Sequence, residues 1–140
     1  MLCSEIMTKD PEYCLPSDPV VKAAQLMKSE DVGPIPIVDD KDGKKLAGIV
    51  TDRDLAIKVV AEARDPKTTP VKQVMTDDVV TCKENDDVEK ALKLMQDHQV
   101  RRIPVVDNGD HLLGIIAQAD VANRLGSSRT TGKIVQEISH

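Results

Sequence analysis

The chain of 140 residues contains no Phe and no Trp, and Tyr13 is its single aromatic residue. A base-stacking platform for single-stranded nucleic acid therefore has almost nothing to stand on. Positive charge is also short. The 19 Lys and Arg face 24 Asp and Glu, for a formal net charge of -5, which argues against a general phosphate-neutralising surface. No apolar run approaches the roughly 20 residues of a membrane-spanning helix. The N-terminal "MLCSEIMTKD" lacks the basic and apolar regions of a secretory signal, and Cys3, Cys14 and Cys82 form an odd set with no CxxC pair. A cytoplasmic chain with reduced thiols is expected. No GxxxxGK[ST], HExxH or supported Ser–His–Asp set is present, so no catalytic residue is assigned and the chain is read as a non-enzyme. His98 and His111 lack Cys or carboxylate partners at ligand spacing, and no metal site is assigned.

What is present is aliphatic. Ile, Val, Leu, Met and Ala must build the core, and a chain of this length can bury roughly 68–70% of its unfolded surface without a disulfide. Its organisation is a repeat. Met7-Thr8, Cys14, Asp18, Val20, Lys22-Ala23, Leu26-Met27, Ile35-Pro36 and Val38-Asp39 recur 68 residues later, at Met75-Thr76 through Val106-Asp107. The loop "DKDGKKLAG" is two residues longer than "NGDHLLG", so Gly48-Ile49, Asp54 and Ala56 recur 66 residues later, at Gly114-Ile115, Asp120 and Ala122. One ancestral unit is used twice. Cys14 and Cys82 are read as small buried hydrophobes at matching strand positions.

Each unit reads as β-α-β-β-α. Short strands are predicted at "EYCL" and "VVTC". Helices then open at Ser17-Asp18-Pro19, with Pro19 as first helical residue, and at Asn85-Asp86-Asp87. Val20, Ala23, Ala24 and Met27 form one apolar helix face, and Val88, Ala91, Leu92 and Met95 the other. The strands "PIPIVDD" and "LAGIVT", and "RIPVVD" and "LLGIIA", flank turns at "KDGK" and "NGD", where Gly and Asn accept positive φ. Second helices start near Asp52 and near Gln118-Asp120. "SEIM" and "VKQVM" read as single turns leading into units one and two, and Ile134, Val135 and Ile138 as a closing turn or a frayed end.

"IMT" and "VMT", the amphipathic helices, "IPIVD" and "IPVVD", and "GIVTDRDL" and "GIIAQADV" together resemble the CBS domain pair, or Bateman module, over nearly the whole chain. The likeness is to small stand-alone bacterial and archaeal members of the hypoxic response protein type. It implies an α+β fold of two units, residues 1–67 and 68–140, packed about a pseudo-two-fold axis. It also implies adenosine-containing ligands in two clefts, a homodimer formed through helices bearing Ile57, Val60 and Val121, and a separate protein partner. AMP, ADP, ATP or a relative is the expected regulatory ligand, and no cofactor is required.

The residues suit such a ligand. Asp54 and Asp120 can each accept both hydroxyl hydrogens of a ribose, and the Thr51 hydroxyl can donate to a phosphate. Ile35-Pro36-Ile37 and Ile103-Pro104-Val105 predict edge-like stretches, because proline removes an N–H, with an aliphatic slot for adenine. Arg53 and Arg102 are candidate phosphate partners. In a kinase subunit of the resembled family, the residue matching Arg102 reaches ligand phosphates near the pseudo-two-fold. Plainer readings stand beside these: a helix cap for Asp54 and Asp120, and a solvated pair or ion pairs with Asp97 or Asp107 for Arg101 and Arg102. Ala117 removes the second hydroxyl, so an interaction protein that kept the fold without its ligand is the alternative function.

Overall fold

The computed structural model describes residues 1–125; the expected closing turn at Ile134, Val135 and Ile138 lies outside them. In chain order the elements are α1 (Cys3–Ile6), β1 (Thr8–Lys9), α2 (Val20–Glu30), β2 (Pro34–Val38), β3 (Leu46–Thr51), α3 (Asp52–Leu55), β4 (Cys82–Lys83), α4 (Val88–Asp97), β5 (Arg102–Val106), β6 (Leu112–Ala117) and α5 (Gln118–Leu125). A π-helical turn, Ala56–Val60, continues α3, and a 3-10 turn covers Val71–Gln73.

Two compact units emerge. One joins Met1–Pro11 to the chain from Val80 onward, and the other is Glu12–Val79. The repeat boundary at 67/68 follows sequence likeness, whereas packing assigns each leading segment to the unit of the other repeat. In the first unit the sheet order is β1-β6-β5-β4. The Cys3 N–H donates to Asp86 and the Val88 N–H to Met1. In the second unit β2 pairs with β3, isolated bridges add Thr76 beside Ile49 and Cys14 beside Ile37, and the Val71 N–H donates to Asp18. The turns "SEIM" and "VKQVM" therefore form as expected, at Cys3–Ile6 and Val71–Gln73, but each docks on the opposite repeat.

Glycine makes this exchange possible. A Cβ built on Gly48 would lie 2.8 Å from the Thr76 carbonyl oxygen and 2.7 Å from Met75 Sδ. On Gly114 it would lie 2.6 Å from the Thr8 oxygen and 2.7 Å from Met7 Sδ. The repeated Met-Thr and Gly-Ile dipeptides are the two halves of one contact.

Proline explains why the strands at "EYCL" and "VVTC" shrink to a bridge at Cys14 and to β4. The Cys14 N–H donates to Pro36 and the Val38 N–H to Cys14, at 3.0 Å each. The next ladder bond would need an N–H from residue 36, which proline lacks. Pro104 occupies the matching place beside Cys82. Neither proline lies on a free edge, so the expected edge-like stretches are corrected: β2 runs between β3 and Cys14, and β5 between β6 and β4.

Helix α4 starts at Asp87, whose side chain accepts the Glu89 N–H at 2.9 Å. Pro19 is the extended residue before α2 rather than its first turn. Asp18 accepts the Leu15 N–H at 2.8 Å and pairs with Lys22. Val88, Ala91, Leu92 and Met95 are buried as expected. On α2 only Val20 and Ala23 are buried; Ala24 is exposed, and Leu26 and Met27 pack partly against the core. The hairpin turns place positive φ at Lys44 and at Asp110, the latter rather than at Asn108 or Gly109. Asp40 Oδ1 accepts from the N–H groups of Asp42 and Gly43, and Asp107 Oδ1 from those of Gly109 and His111, which closes both turns. Cys14 and Cys82 are free and buried, as is Cys3, and burial pushes the Cys14 thiol up to about 11.

We expect Gly48→Ala and Gly114→Ala each to destabilise the chain by about 1–3 kcal/mol, because a backbone oxygen stands where the methyl must go. Gly33→Ala would meet only the Asp52 side chain, at 3.2 Å, and is expected to shift stability by less than about 1 kcal/mol. Urea denaturation of the three variants measures the contrast.

Candidate functional site

The first motif is built where β3 ends. Thr51 stands opposite Pro34 in the β2–β3 ladder, and its extended backbone makes it the N-cap of α3. Its Oγ1 accepts the Asp54 N–H at 3.1 Å, and Asp54 Oδ2 accepts the Thr51 N–H at 2.9 Å. This reciprocal box satisfies two otherwise orphaned donors. The other carboxylate oxygen, Oδ1, lies 3.2 Å from Lys58 Nζ, and the Asp54 side chain is 15% exposed. The cap reading of Asp54 is therefore realised, and it leaves chemistry over. A carboxylate offers about four acceptor sites, and the Thr51 hydroxyl can still donate its own hydrogen. Arg53 is exposed, and its side chain makes no ion pair among the described residues.

The junction has a second fastening that sequence reasoning missed. The Asp52 N–H donates to the Gly33 carbonyl at 3.1 Å, and the Gln118 N–H to that of Arg101 at 2.9 Å. The residue just before β2 or β5 thus holds the start of the helix. Both bonds are made by main-chain groups, which leave no side-chain mark in the sequence.

The second motif differs. Ala117 has no hydroxyl to cap α5, and Asp120 is half-buried in that helix's first turn. Ala117 stands directly opposite Arg102. Directly opposed residues share a sheet face, so the repeat that lost its hydroxyl has a cation beside the position. Neither Arg101 nor Arg102 forms an ion pair among the described residues. The candidate partners are engaged elsewhere: Asp97 lies 3.5 Å from Lys93, and Asp107 lies 3.0 Å from His111.

The strand residues sit deeper than a ligand slot needs. Ile35, Ile37, Ile103 and Val105 belong to the two aliphatic cores, and Pro36 and Pro104 are buried between them in sequence. His111 does have a carboxylate, Asp107, four residues back. The His111 backbone N–H, with smaller contributions from its ring and the Gly109 N–H, holds the Asp107 carboxyl below the usual range. Among the described residues, no group of three or more His, Cys, Asp or Glu is placed to hold a metal ion, and no helix is long and apolar enough to cross a membrane.

Two α+β units, each with a hairpin feeding a helix through a [Thr/Ala]-x-x-Asp turn, are the mark of a known domain. The chain belongs to the CBS domain family, whose pattern matches residues 3–61 and 71–127. Hypoxic response protein 1 of Mycobacterium tuberculosis is 39% identical over 103 residues, 74% of this chain and 70% of that one. A crystal structure of Hypoxic Response Protein I with two coordinated zinc ions superposes with a TM-score of 0.80 at 32% identity, covering 90% of this chain and all of that one. The CBS domain pair of protein MJ0100, solved with 5-methylthioadenosine and S-adenosyl-L-methionine, gives 0.76 at 28% identity, covering 95% and 98% of the two chains. CBSX2 in complex with AMP gives 0.75 at 26%, covering 89% and 95%. The two matched segments occupy most of the sequence, and no separate catalytic domain lies within it.

Thr51→Ala removes the acceptor for the Asp54 N–H and is expected to cost about 0.5–2 kcal/mol, with Thr51→Ser close to the parent. Chemical denaturation of the two variants measures the cap.

Proposed function

We propose that this chain is a ligand-sensing regulatory module without activity of its own. It binds an adenosine-containing nucleotide, AMP, ADP, ATP or a relative, and signals its presence to a separate protein. The observation that carries this reading is the Thr51–Asp54 box. It fixes a carboxylate and a hydroxyl side by side, each with hydrogen-bonding capacity left for a ribose and a phosphate. The AMP and S-adenosyl-L-methionine complexes of the two structural relatives support the ligand class, since both ligands contain adenosine. Thr51, Asp54, Arg53 and Arg102 are the polar contacts we assign, with Asp120 as the weaker second acceptor. Ile35-Pro36-Ile37 and Ile103-Pro104-Val105 line the motifs mainly through backbone. Three free thiols suit a reducing compartment, the cytoplasm. Ala117 favours a second reading, in which the chain keeps the fold as an interaction protein and binds no nucleotide.

Calorimetry with adenosine, AMP, ADP, ATP and S-adenosylmethionine separates the two. A ligand at 100 times its dissociation constant adds about 2.7 kcal/mol of stability. One hydrogen bond to a charged phosphate is worth about 1.5–3 kcal/mol, tenfold or more in affinity. Asp54→Ala is therefore expected to abolish the tighter binding phase and Asp120→Ala to leave it. Arg102→Gln is expected to weaken ATP and ADP more than adenosine. No binding by any of the five ligands would favour the interaction protein.

We also propose a homodimer. Ile57 is 46% and Val60 76% exposed, three residues apart on the turn after Asp54, and so apolar where water would otherwise lie. Val121, expected in the same interface, is wholly buried in its own unit and is withdrawn from it. Light scattering is expected to give twice the 15.3 kDa chain mass, and Val60→Glu to return the mass of the monomer. A monomer for the unaltered chain at micromolar concentration would contradict the assignment.

A further inference from the structure

The geometry points to a role for Lys58 that rests on the reading of Asp54 as a ligand acceptor. We propose that Lys58 couples the Asp54 carboxylate to the crossing segment Val71–Thr76, so that a ligand engaging Asp54 loosens that segment. The Lys58 ammonium lies 3.2 Å from Asp54 Oδ1 and donates to the Val74 carbonyl at 3.0 Å. Among the described residues it is the one side-chain hydrogen bond between the motif's helix and this segment. Val74 ends the 3-10 turn, its N–H donating to the Val71 carbonyl at 3.0 Å, and its side chain is buried. The two residues that follow, Met75 and Thr76, lie over Gly48, and Thr76 exchanges both backbone bonds with Ile49, at 2.8 and 2.9 Å. The chain leaves this unit after Val79. A charge at Asp54 is thus two bonds away from the last stretch of backbone that this unit holds.

The chemistry sets the direction. An ammonium has three donors and no acceptor. Here one donor faces the carboxylate and one the carbonyl, so the carboxylate keeps the ammonium where the carbonyl can use it. Hydroxyl groups of a ribose that donate to Asp54 draw off part of its charge. A nearby phosphate offers the ammonium a rival partner. Both changes weaken the hold on Val74. An isolated surface ion pair would carry little energy, but Asp54 is largely shielded at 15% exposure, and Lys58 is 44% exposed and reachable by a ligand. The second repeat carries Arg124 at the position matching Lys58, and it is exposed.

Amide hydrogen exchange on the full chain tests this without a ligand. The amides read are those of Met75 and Thr76, which donate to Val71 and Ile49. The reference is the Val38 amide, which donates to Cys14 on the other flank of the sheet. Lys58→Met and Asp54→Asn are each expected to speed exchange at Met75 and Thr76 by roughly threefold or more relative to Val38, and the double variant no further. Lys58→Arg, which keeps charge and donors, is expected to stay near the parent. Unchanged exchange in Lys58→Met, or losses that simply add in the double variant, overturns the coupling. AMP is the ligand probe. It is expected to speed Met75 and Thr76 in the parent, and to bind Lys58→Met without that response. AMP that binds the parent and leaves the segment unchanged also overturns the proposal. If AMP, ATP and S-adenosylmethionine all fail to bind, the nucleotide reading falls by itself, and the double-variant cycle alone upholds or overturns the link through Lys58.

Discussion

Two α-carbons without side chains, Gly48 and Gly114, hold this architecture open. Each lets the backbone of the other repeat's leading segment lie within van der Waals distance of a hairpin strand. Met75-Thr76 then completes the sheet edge of the first repeat, and Met7-Thr8 that of the second. With a methyl at either position the crossing strand must lift away, and the turns that lead into it, Val71–Gln73 on one side and Cys3–Ile6 on the other, lose their seats. Membership of the two compact units follows from this contact. So does the position of the Val74 carbonyl, which is within reach of Lys58 because Met75 is pinned over Gly48.

The same duplication yields two unequal motifs. In the first, a threonine and an aspartate close on one another and a lysine draws the remaining carboxylate oxygen toward a main-chain carbonyl. The polar groups are fixed in place before any ligand arrives, which lowers the entropic cost of recognising one. In the second, alanine leaves the helix without that cap, and an arginine on the facing strand supplies charge in place of a hydroxyl. A pair of this kind suits one well-organised acceptor and one position that responds chiefly to ligand charge. Repetition thus conserved the scaffold while the chemistry of the two copies moved apart.

Much of this was legible in the residues. The spans of β3 and β6 were readable to the residue from "LAGIVT" and "LLGIIA". The burial of Val88, Ala91, Leu92 and Met95 followed from helical spacing. The Thr51–Asp54 pair was visible as both cap and ligand candidate. What stayed hidden was non-local. An offset of 68 says which residues correspond, not which ones touch, so the exchange of the leading turns could not be seen. Pro36 and Pro104 each end a ladder by failing to donate a bond, and that matters only once the partner strand is known. Ala24 and Val121 were misjudged because periodicity gives a face without saying how wide the covering surface is. Lys44 and Asp110 take positive φ in turns whose backbone the Asp40 and Asp107 side chains bind two residues on, an aspartate preference that a reading centred on Gly and Asn passed over.

The exchange of leading segments is the claim from which the rest is built, and proton contacts at the five methionines, a sparse and resolvable set, test it directly. With methyl-labelled methionine in the full chain, nuclear Overhauser contacts are expected from the Met7 methyl to the Gly114 α-protons and from the Met75 methyl to those of Gly48. Contacts from Met7 to Gly48 and from Met75 to Gly114 would place each segment on its own repeat and contradict the account.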